Sequence, residues 1–439
     1  MTIISINYTL KHSFHLAFSL KNYPFLLLAA SLLGANIVNL NVGLFQLSPY
    51  RILIFLSPLL LFAIKKKTIL QHREGINYGY FVFMLIWVIY SIIPLLWVKD
   101  YSGWARIFGF LLTGLITTWY IGWYLTTKEE IIKALKIIEL FSVGFGLLAL
   151  FEIISGNYLF VSERSLEYYQ ERSFLESTIG YRVPISVFGN PNDYSLFLLF
   201  AIFSSFGLSS LKKTRLSRFF SFLFTIFFIF LLIATQSRSA FIGLLTGVLA
   251  YFFVKIKHIK SKQIFKLLFG ISITLIFLIP WLIENNSLFI GLLMFDNSTG
   301  SDETRINLIK NGIEFFKSSL FMGIGLGNIE YYMANYSIYP TNGVTNIHNF
   351  WMEILVSSGI FVFILYITIY LRNIWRLYHF SFSHTDKDMQ ILSMVFFCSF
   401  LGFFITSSGA SSLLYNEWIW PIIAIIMSFI NIRPSPTLK

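Results

Sequence analysis

Long, unbroken apolar stretches separated by short polar connectors dominate the 439 residues of the chain. A helix needs roughly 20 mostly apolar residues to cross a bilayer. Twelve stretches approach that length: Tyr23–Leu44, Tyr50–Ile64, Tyr78–Val98, Trp104–Leu125, Ile131–Ile154, Asp193–Leu211, Phe219–Thr235, Ser239–Val254, Ile264–Ile283, Phe350–Leu371, Met389–Ser407 and Leu413–Ile432. The second and eighth are the shortest, so eleven to thirteen crossings fit the pattern. Membrane barrels are built from segments of roughly ten residues that alternate apolar and polar, and the runs here do not alternate. The predicted fold class is an all-α polytopic integral membrane protein with about twelve transmembrane helices. Residues 1–22 show no small-residue cleavage site behind a short apolar region, so no cleaved signal peptide is expected.

Composition and charge turn this pattern into a topology. Hydrophobic residues make up 56% of the chain and charged residues 12%, about half the charged share of soluble domains, which excludes an ordinary soluble enzyme. The net charge is +12. With the N-terminus in the cytoplasm, 23 of the 33 Lys and Arg fall on inner segments and 10 on outer ones, as positively charged loops stay inside. Both termini are therefore predicted to be cytoplasmic. The inner side is then net basic and the outer side net acidic, so the basic excess reports topology and implies no nucleic-acid partner. Cys398 is the single cysteine and lies inside a predicted span, so neither a disulfide framework nor a cysteine metal site is possible within one chain.

Candidate chemistry is confined to the outer side. The chain reads as one transmembrane domain, residues 1–439, with a long outer loop at 155–192 and a larger one at 284–349 that carries a surface helix at about 302–318. Inner loops are short and basic, without Walker or Rossmann signatures, so any reaction faces outward and consumes a substrate that is already activated. Arg51, Arg106, Glu152, Arg238, Glu353 and Glu417 sit toward outer span ends, and only Glu139 is placed deeper. Ionisable groups at such positions are functional candidates because burial in hydrocarbon is costly.

Four segments stand out. Tyr181 to Tyr194, containing Arg182, Asn190 and Asp193, opens the sixth span with turn-forming Gly-Asn-Pro-Asn; Asn192 or Asp193 is expected to cap the helix. Arg238, in the near-absent loop Thr235 to Ala240, either reaches lipid phosphate or faces the bundle and binds an anion with its bidentate fork. Arg305 begins the apolar stripe Ile306, Ile309, Ile313, Phe316 of the surface helix, with Gly323-Ile324-Gly325-Leu326-Gly327-Asn328 behind it. That glycine run follows a helix and lacks a following Lys, so a packing turn is expected instead of a phosphate loop. His348, at the start of the tenth span, has an ordinary pKa near about 6.5 that suits a general base, and Asn349 and Glu353 share a helix face beside it. No metal-ligand spacing surrounds it.

In their order these segments resemble the O-antigen ligase and polymerase superfamily (Wzy/WaaL proteins) of bacterial envelope polysaccharide assembly. The likeness rests on Phe-Gly-Asn-Pro-Asn-Asp-Tyr ending at Tyr194, Ser237-Arg238-Ser239, Arg305 with Gly323 to Asn328, and His348-Asn349 followed by Gly359. Ligases commonly carry a small residue three positions after that glycine, where this chain has Val362. The resemblance implies an inverting, metal-independent glycosyltransferase of the bacterial plasma membrane, acting at the outer face without a cofactor on an undecaprenyl-diphosphate-linked oligosaccharide. It implies Arg238, Arg305 and His348 as catalytic residues and a flippase and a chain-length regulator as pathway partners. Arg182, Glu353, Asn349, Asn190 and Asp193 are added as substrate-binding candidates. The Asn-Pro-Asn-Asp-Tyr form favours a repeat-unit polymerase of capsule, exopolysaccharide or teichuronic acid type; a ligase and a secondary transporter are the competing readings. A transporter would concentrate charge at the midplane, where only Glu139 is on offer.

Overall fold

The structure is a computed structural model describing residues 22–38, 40–42, 45–63, 77–160, 180–256, 301–410 and 412–432. The ninth apolar run, Ile264–Ile283, lies outside the described residues, as do Arg164 and Arg172 of the first long loop.

Thirteen α-helices are described: α1 (Tyr23–Ile37), α2 (Pro49–Ala63), α3 (Tyr78–Tyr90), α4 (Tyr101–Tyr124), α5 (Lys128–Ser155), α6 (Pro191–Leu211), α7 (Arg215–Ala234), α8 (Arg238–Ile256), α9 (Ser301–Ser318), α10 (Ile329–Tyr336), α11 (Phe350–Ser383), α12 (Lys387–Thr406) and α13 (Ile419–Asn431). Eight are long and apolar enough to cross a membrane: α3 with its 3-10 extension to Leu96, α4, α5, α6, α7, α8, α11 and α12; α1 and α13 are shorter apolar helices. The helical, polytopic architecture is as expected.

Several boundaries differ. The first apolar run does not stay helical to Leu44: α1 stops at Ile37, and β1 (Leu40–Val42) pairs antiparallel with β2 (Phe45–Leu47). Hydropathy did not show this, because four of the six paired residues are apolar and extend the run. The tenth run extends to Ser383, so α11 is roughly 51 Å long at 1.5 Å per residue. It is bent at Gly359, whose φ is 80°.

The helices sort by how much apolar surface they hide. α6 and α12 are buried on nearly every face, whereas α7 presents Phe219, Phe222, Ile226 and Phe230 outward. In a bilayer those outward residues meet acyl chains, so the hydrophobic exterior needs no protein partner. Small residues allow the closest approaches: a Cβ on Gly243 would stand 2.7 Å from the Gly402 carbonyl, and one on Gly247 would stand 2.9 Å from the Cys398 carbonyl. These contacts seat α8 against α12.

Polar pairs tie the two ends of the bundle. At the lower end Lys128 of α5 reaches Asp386 at 2.5 Å before α12, and a capping box of Thr127 and Glu130 starts α5. The bond to Lys128 holds the Asp386 carboxyl below its usual range. Glu139, the deep acid, pairs with Lys212 and accepts from Ser205 at 2.6 Å. At the upper end Arg51 meets Glu417 at 2.5 Å, and Ser48 donates to the same carboxylate at 2.9 Å.

Above the bundle, α9, the glycine segment and α10 form a cap around Leu308, Phe315, Ile324, Met333 and Val356. Its helix begins at Ser301, close to the expected start. The cap is stitched to the bundle by main chain: Ile324 and Gly325 donate to the Val356 and Ser357 carbonyls at 2.9 and 3.0 Å, and Ile360 donates to Phe321 at 3.0 Å. Gly323 and Gly359 face each other across this seam, both with positive φ, and a Cβ on either would lie within 2.6 Å of the opposite backbone. The glycine run is thus a packing turn, as its sequence context implied. Asn328 completes the join: its side chain accepts from the Lys99 and Asp100 amides and donates to the Asp100 carbonyl.

Candidate functional site

Three chain segments converge where the cap meets the upper end of α8, α11 and α12. Thr406, at the end of α12, lies 3.5 Å from the Ser239 carbonyl, directly after Arg238. A Cβ on Gly409 would stand 2.3 Å from the Ser239 hydroxyl, so the turn after α12 is held against the start of α8. Ser407 accepts the Phe350 amide at 3.1 Å, which fixes the start of α11 to the same turn. His348 is two residues before Phe350 and has a positive φ of 49°, a strained conformation for a residue with a Cβ. Its amide is held by the Asn346 side chain at 2.8 Å.

His348 differs from the ordinary histidine expected at a wet helix start. Burial lowers its pKa to about 4, and the positive charge of Arg305 acts in the same direction. The imidazole is therefore neutral at pH 7 and able to accept a proton, though it is a weaker base than a solvated one. Its Nδ1 is buried without a hydrogen-bond partner. Arg305 is exposed on α9, yet close enough for its charge to act on His348. Arg238 is half-buried at the first position of α8.

The remaining candidates fall into two groups. Asn349 caps α11, accepting the Met352 amide at 3.1 Å, and Asn190 caps α6, accepting the Asp193 amide at 2.8 Å. The α6 cap is thus Asn190 and not the expected Asn192 or Asp193. Asp193 is buried and receives Asn190 at 2.7 Å and Asn416 at 3.4 Å. Glu353 does not hold the histidine: Ser412 donates to its Oε1, and the Leu413 amide bonds to it as well. Its Oε2 is buried and unpartnered. Arg182 stacks over Tyr158 at 4.5 Å and lies within the field of Glu152. Glu152, at the end of α5, accepts the Ile185 and Ser186 amides at 2.8 and 2.9 Å, so it shapes the loop that carries Arg182.

A narrow, half-open cleft lies between the cap and the bundle, lined by Ile107, Gly327, Ile329, Glu330, Asn346, Ile347, Glu353, Ser357, Ser412 and Tyr415. Tyr415 donates to Glu330 at 3.0 Å, and Arg106 lies over the Tyr415 ring at 5.0 Å and 3.6 Å from Glu330. Sequence reading did not single out Glu330, Ser412 or Tyr415 as site residues. Glu330 lies among tyrosines on a short helix and Tyr415 inside an apolar run, and only the fold brings these distant positions together. Among the described residues no three His, Cys, Asp or Glu side chains gather as a metal site would require.

Comparison with known proteins narrows the chemistry. Residues 222–367 match a family model described as O-Antigen ligase. That interval contains Arg238, Arg305, His348, Glu353 and Gly359, and begins after Arg182, Asn190 and Asp193. Over 427 residues the chain is 25% identical to the Teichuronic acid biosynthesis protein TuaE of Bacillus subtilis (strain 168), a match spanning 93% of this chain and 83% of that protein.

Proposed function

We propose, from the match of residues 222–367 to the O-Antigen ligase family model and the likeness to a teichuronic acid biosynthesis protein, that the chain is a membrane enzyme of polysaccharide biosynthesis, a repeat-unit polymerase working at the outer face of the plasma membrane. The donor is a glycan linked through diphosphate to a polyprenyl carrier, and the acceptor is a hydroxyl on a new lipid-linked unit. The acceptor oxygen attacks the anomeric carbon from the face opposite the diphosphate, the bond from that carbon to the phosphate oxygen breaks, and the carrier diphosphate leaves with the electron pair. Configuration inverts in one displacement.

His348 takes the acceptor proton, for which its neutral state is required. Arg238 and Arg305 carry the diphosphate: fixed guanidinium forks match its oxygens and stabilise the charge that grows on the leaving group. The outer segments are net acidic on the predicted topology, so general attraction cannot collect a diphosphate and positioned arginines must. The observation carrying this reading is that the start of α8 at Arg238 and the start of α11 after His348 are both held against the turn that follows α12, while the charge of Arg305 on α9 acts on His348. The teichuronic acid role in the relative's name favours repeated polymer extension.

The family description names the second reading, a ligase that hands the finished glycan to a terminal acceptor. Reconstituting the protein with lipid-linked repeat units separates the two. A ladder of products growing by whole units supports the polymerase, and no extension without a distinct acceptor supports the ligase.

A further inference from the structure

We propose that the turn Leu320–Met322, which links α9 to the glycine segment, is a wedge seated among the acyl chains of the leaflet on the cap's side, so that the cap is held partly inside the bilayer. This goes beyond the transferase reading and does not depend on it.

Three consecutive large apolar side chains point away from the protein here: Leu320 is 79% exposed, Phe321 51% and Met322 39%. Leu320 and Phe321 have φ of 51° and 65°, a left-handed conformation that is costly for residues with a Cβ. Turning such side chains into water would add a second cost, and acyl chains remove it. The patch is continuous with surface that belongs to two spanning helices. Tyr90, at the end of α3, donates to the Met322 carbonyl at 3.0 Å while its ring lies 5.8 Å from that of Phe361. Ile360, Phe361 and Ile364 are exposed along the same face of α11.

Depth follows from where the turn is fastened. Ile360, which donates to the Phe321 carbonyl at 3.0 Å, stands ten residues beyond the start of α11, roughly 15 Å along it at 1.5 Å per residue. The hydrocarbon of one leaflet is about 15 Å thick, half of a core of about 30 Å. The turn therefore meets α11 within the span and not at its mouth. Lys317, exposed one turn earlier on α9, has a stem long enough to carry its ammonium back to the headgroups.

The main chain supplies the independent observation. An irregular turn in water leaves some amides and carbonyls to solvent, but in hydrocarbon each must find a partner within the protein. All seven amides from Ser319 to Gly325 do so. Those of residues 319–322 bond to carbonyls within 315–319, that of Gly323 to the Ser319 hydroxyl, and those of Ile324 and Gly325 to the Val356 and Ser357 carbonyls. The carbonyls of Phe321, Met322 and Gly323 receive the Ile360 amide, the Tyr90 hydroxyl and the Trp97 indole, the last at 2.9 Å. Exposed apolar side chains on a bonded, non-helical backbone are what a lipid-facing segment requires.

With Cys398→Ser as background and the full chain in lipid nanodiscs, a nitroxide attached at Leu320→Cys reports its surroundings by electron paramagnetic resonance. Its collision ratio for oxygen over a polar nickel chelate should be about tenfold higher than at Glu303→Cys on α9 and within about threefold of that at Phe361→Cys, because the polar reagent stays out of hydrocarbon. A ratio like that of Glu303→Cys places the turn in water, and exclusion of both reagents places it under protein. Spin–spin broadening that vanishes on dilution with unlabelled chain places it against a second copy. Each of these overturns the proposal. In the unmodified chain, photolysis of a lipophilic diazirine in the same bilayers should tag residues 320–322; an untagged turn beside a tagged α7 overturns the proposal even where the cysteine variants fail to fold. Neither readout uses turnover, so a chain without polymerase activity leaves the wedge standing, and a turn found in water leaves the transferase reading untouched.

Discussion

His348 is poised by its surroundings more than by its identity. Burial and Arg305 hold its pKa near 4, so a base of the kind proposed is deprotonated across the neutral range and lost only in acid. Transfer rates should stay level from about pH 8 to pH 5 and fall below that. NMR titration of labelled histidine should show His348 half-protonated near pH 4, with Arg305→Gln moving the midpoint upward toward the ordinary value of about 6.5. The folded state disfavours the protonated ring, so its contribution to stability is complete above the unfolded pKa and is lost as pH falls through the folded one. Thermal unfolding temperature should therefore drop between about pH 6.5 and 4, and His348→Gln should flatten that slope. For the arginines, Arg238→Ala and Arg305→Ala should each cut polymer synthesis by about 100-fold or more. Lys in either place should recover little, because it keeps the charge and loses the fork. The identity of His348 as a base candidate was legible from its place at a helix start. Its shifted pKa was not, since burial and a charge 43 positions away belong to the folded chain.

At the level of elements, the bond between cap and bundle depends on glycine where a Cβ has no room. Gly359→Ala would set a methyl group 2.4 Å from the Met322 carbonyl at a φ of 80°, and should lower stability by about 2–4 kcal/mol, read as a fall in unfolding temperature in detergent. The α5–α6 contact makes the contrasting case. Glu139 is satisfied by Lys212 and Ser205, so the one deep charge that a transport pathway could have used is already committed to structure. Glu139→Gln should leave polymer synthesis intact while weakening the fold; abolished synthesis in a stable, correctly folded variant would revive the transport reading. Among the described residues, the existence of the spanning helices was legible because each needs one continuous apolar run. Helix ends were less so: α1 gives way to a hairpin of mostly apolar residues, and α11 continues past Leu371 on a stripe of Tyr378 and Phe382 that average hydropathy does not see.

For the molecule as a whole, the distribution of charge and the distribution of candidate chemistry agree on one direction. With native Cys398 changed to Ser, a membrane-impermeant maleimide should label Tyr336→Cys in intact spheroplasts and label Lys213→Cys only after permeabilisation. Labelling in the opposite sense would invert the topology and with it the proposed side of action. The long-range pairs that fasten the upper end, Arg51 with Glu417 and Arg106 with Glu330, join positions hundreds of residues apart and carry no local signature, which is why only the charges and not their partners could be named beforehand. The main-chain seam between residues 321–325 and 356–360 has a further consequence for biogenesis. Residues 321–325 of the cap are synthesised before α11, so on the predicted topology they are across the membrane before the bend at Gly359 forms. α11 then meets a partner segment made before it, and three backbone hydrogen bonds fix its register against the cap in addition to hydropathy.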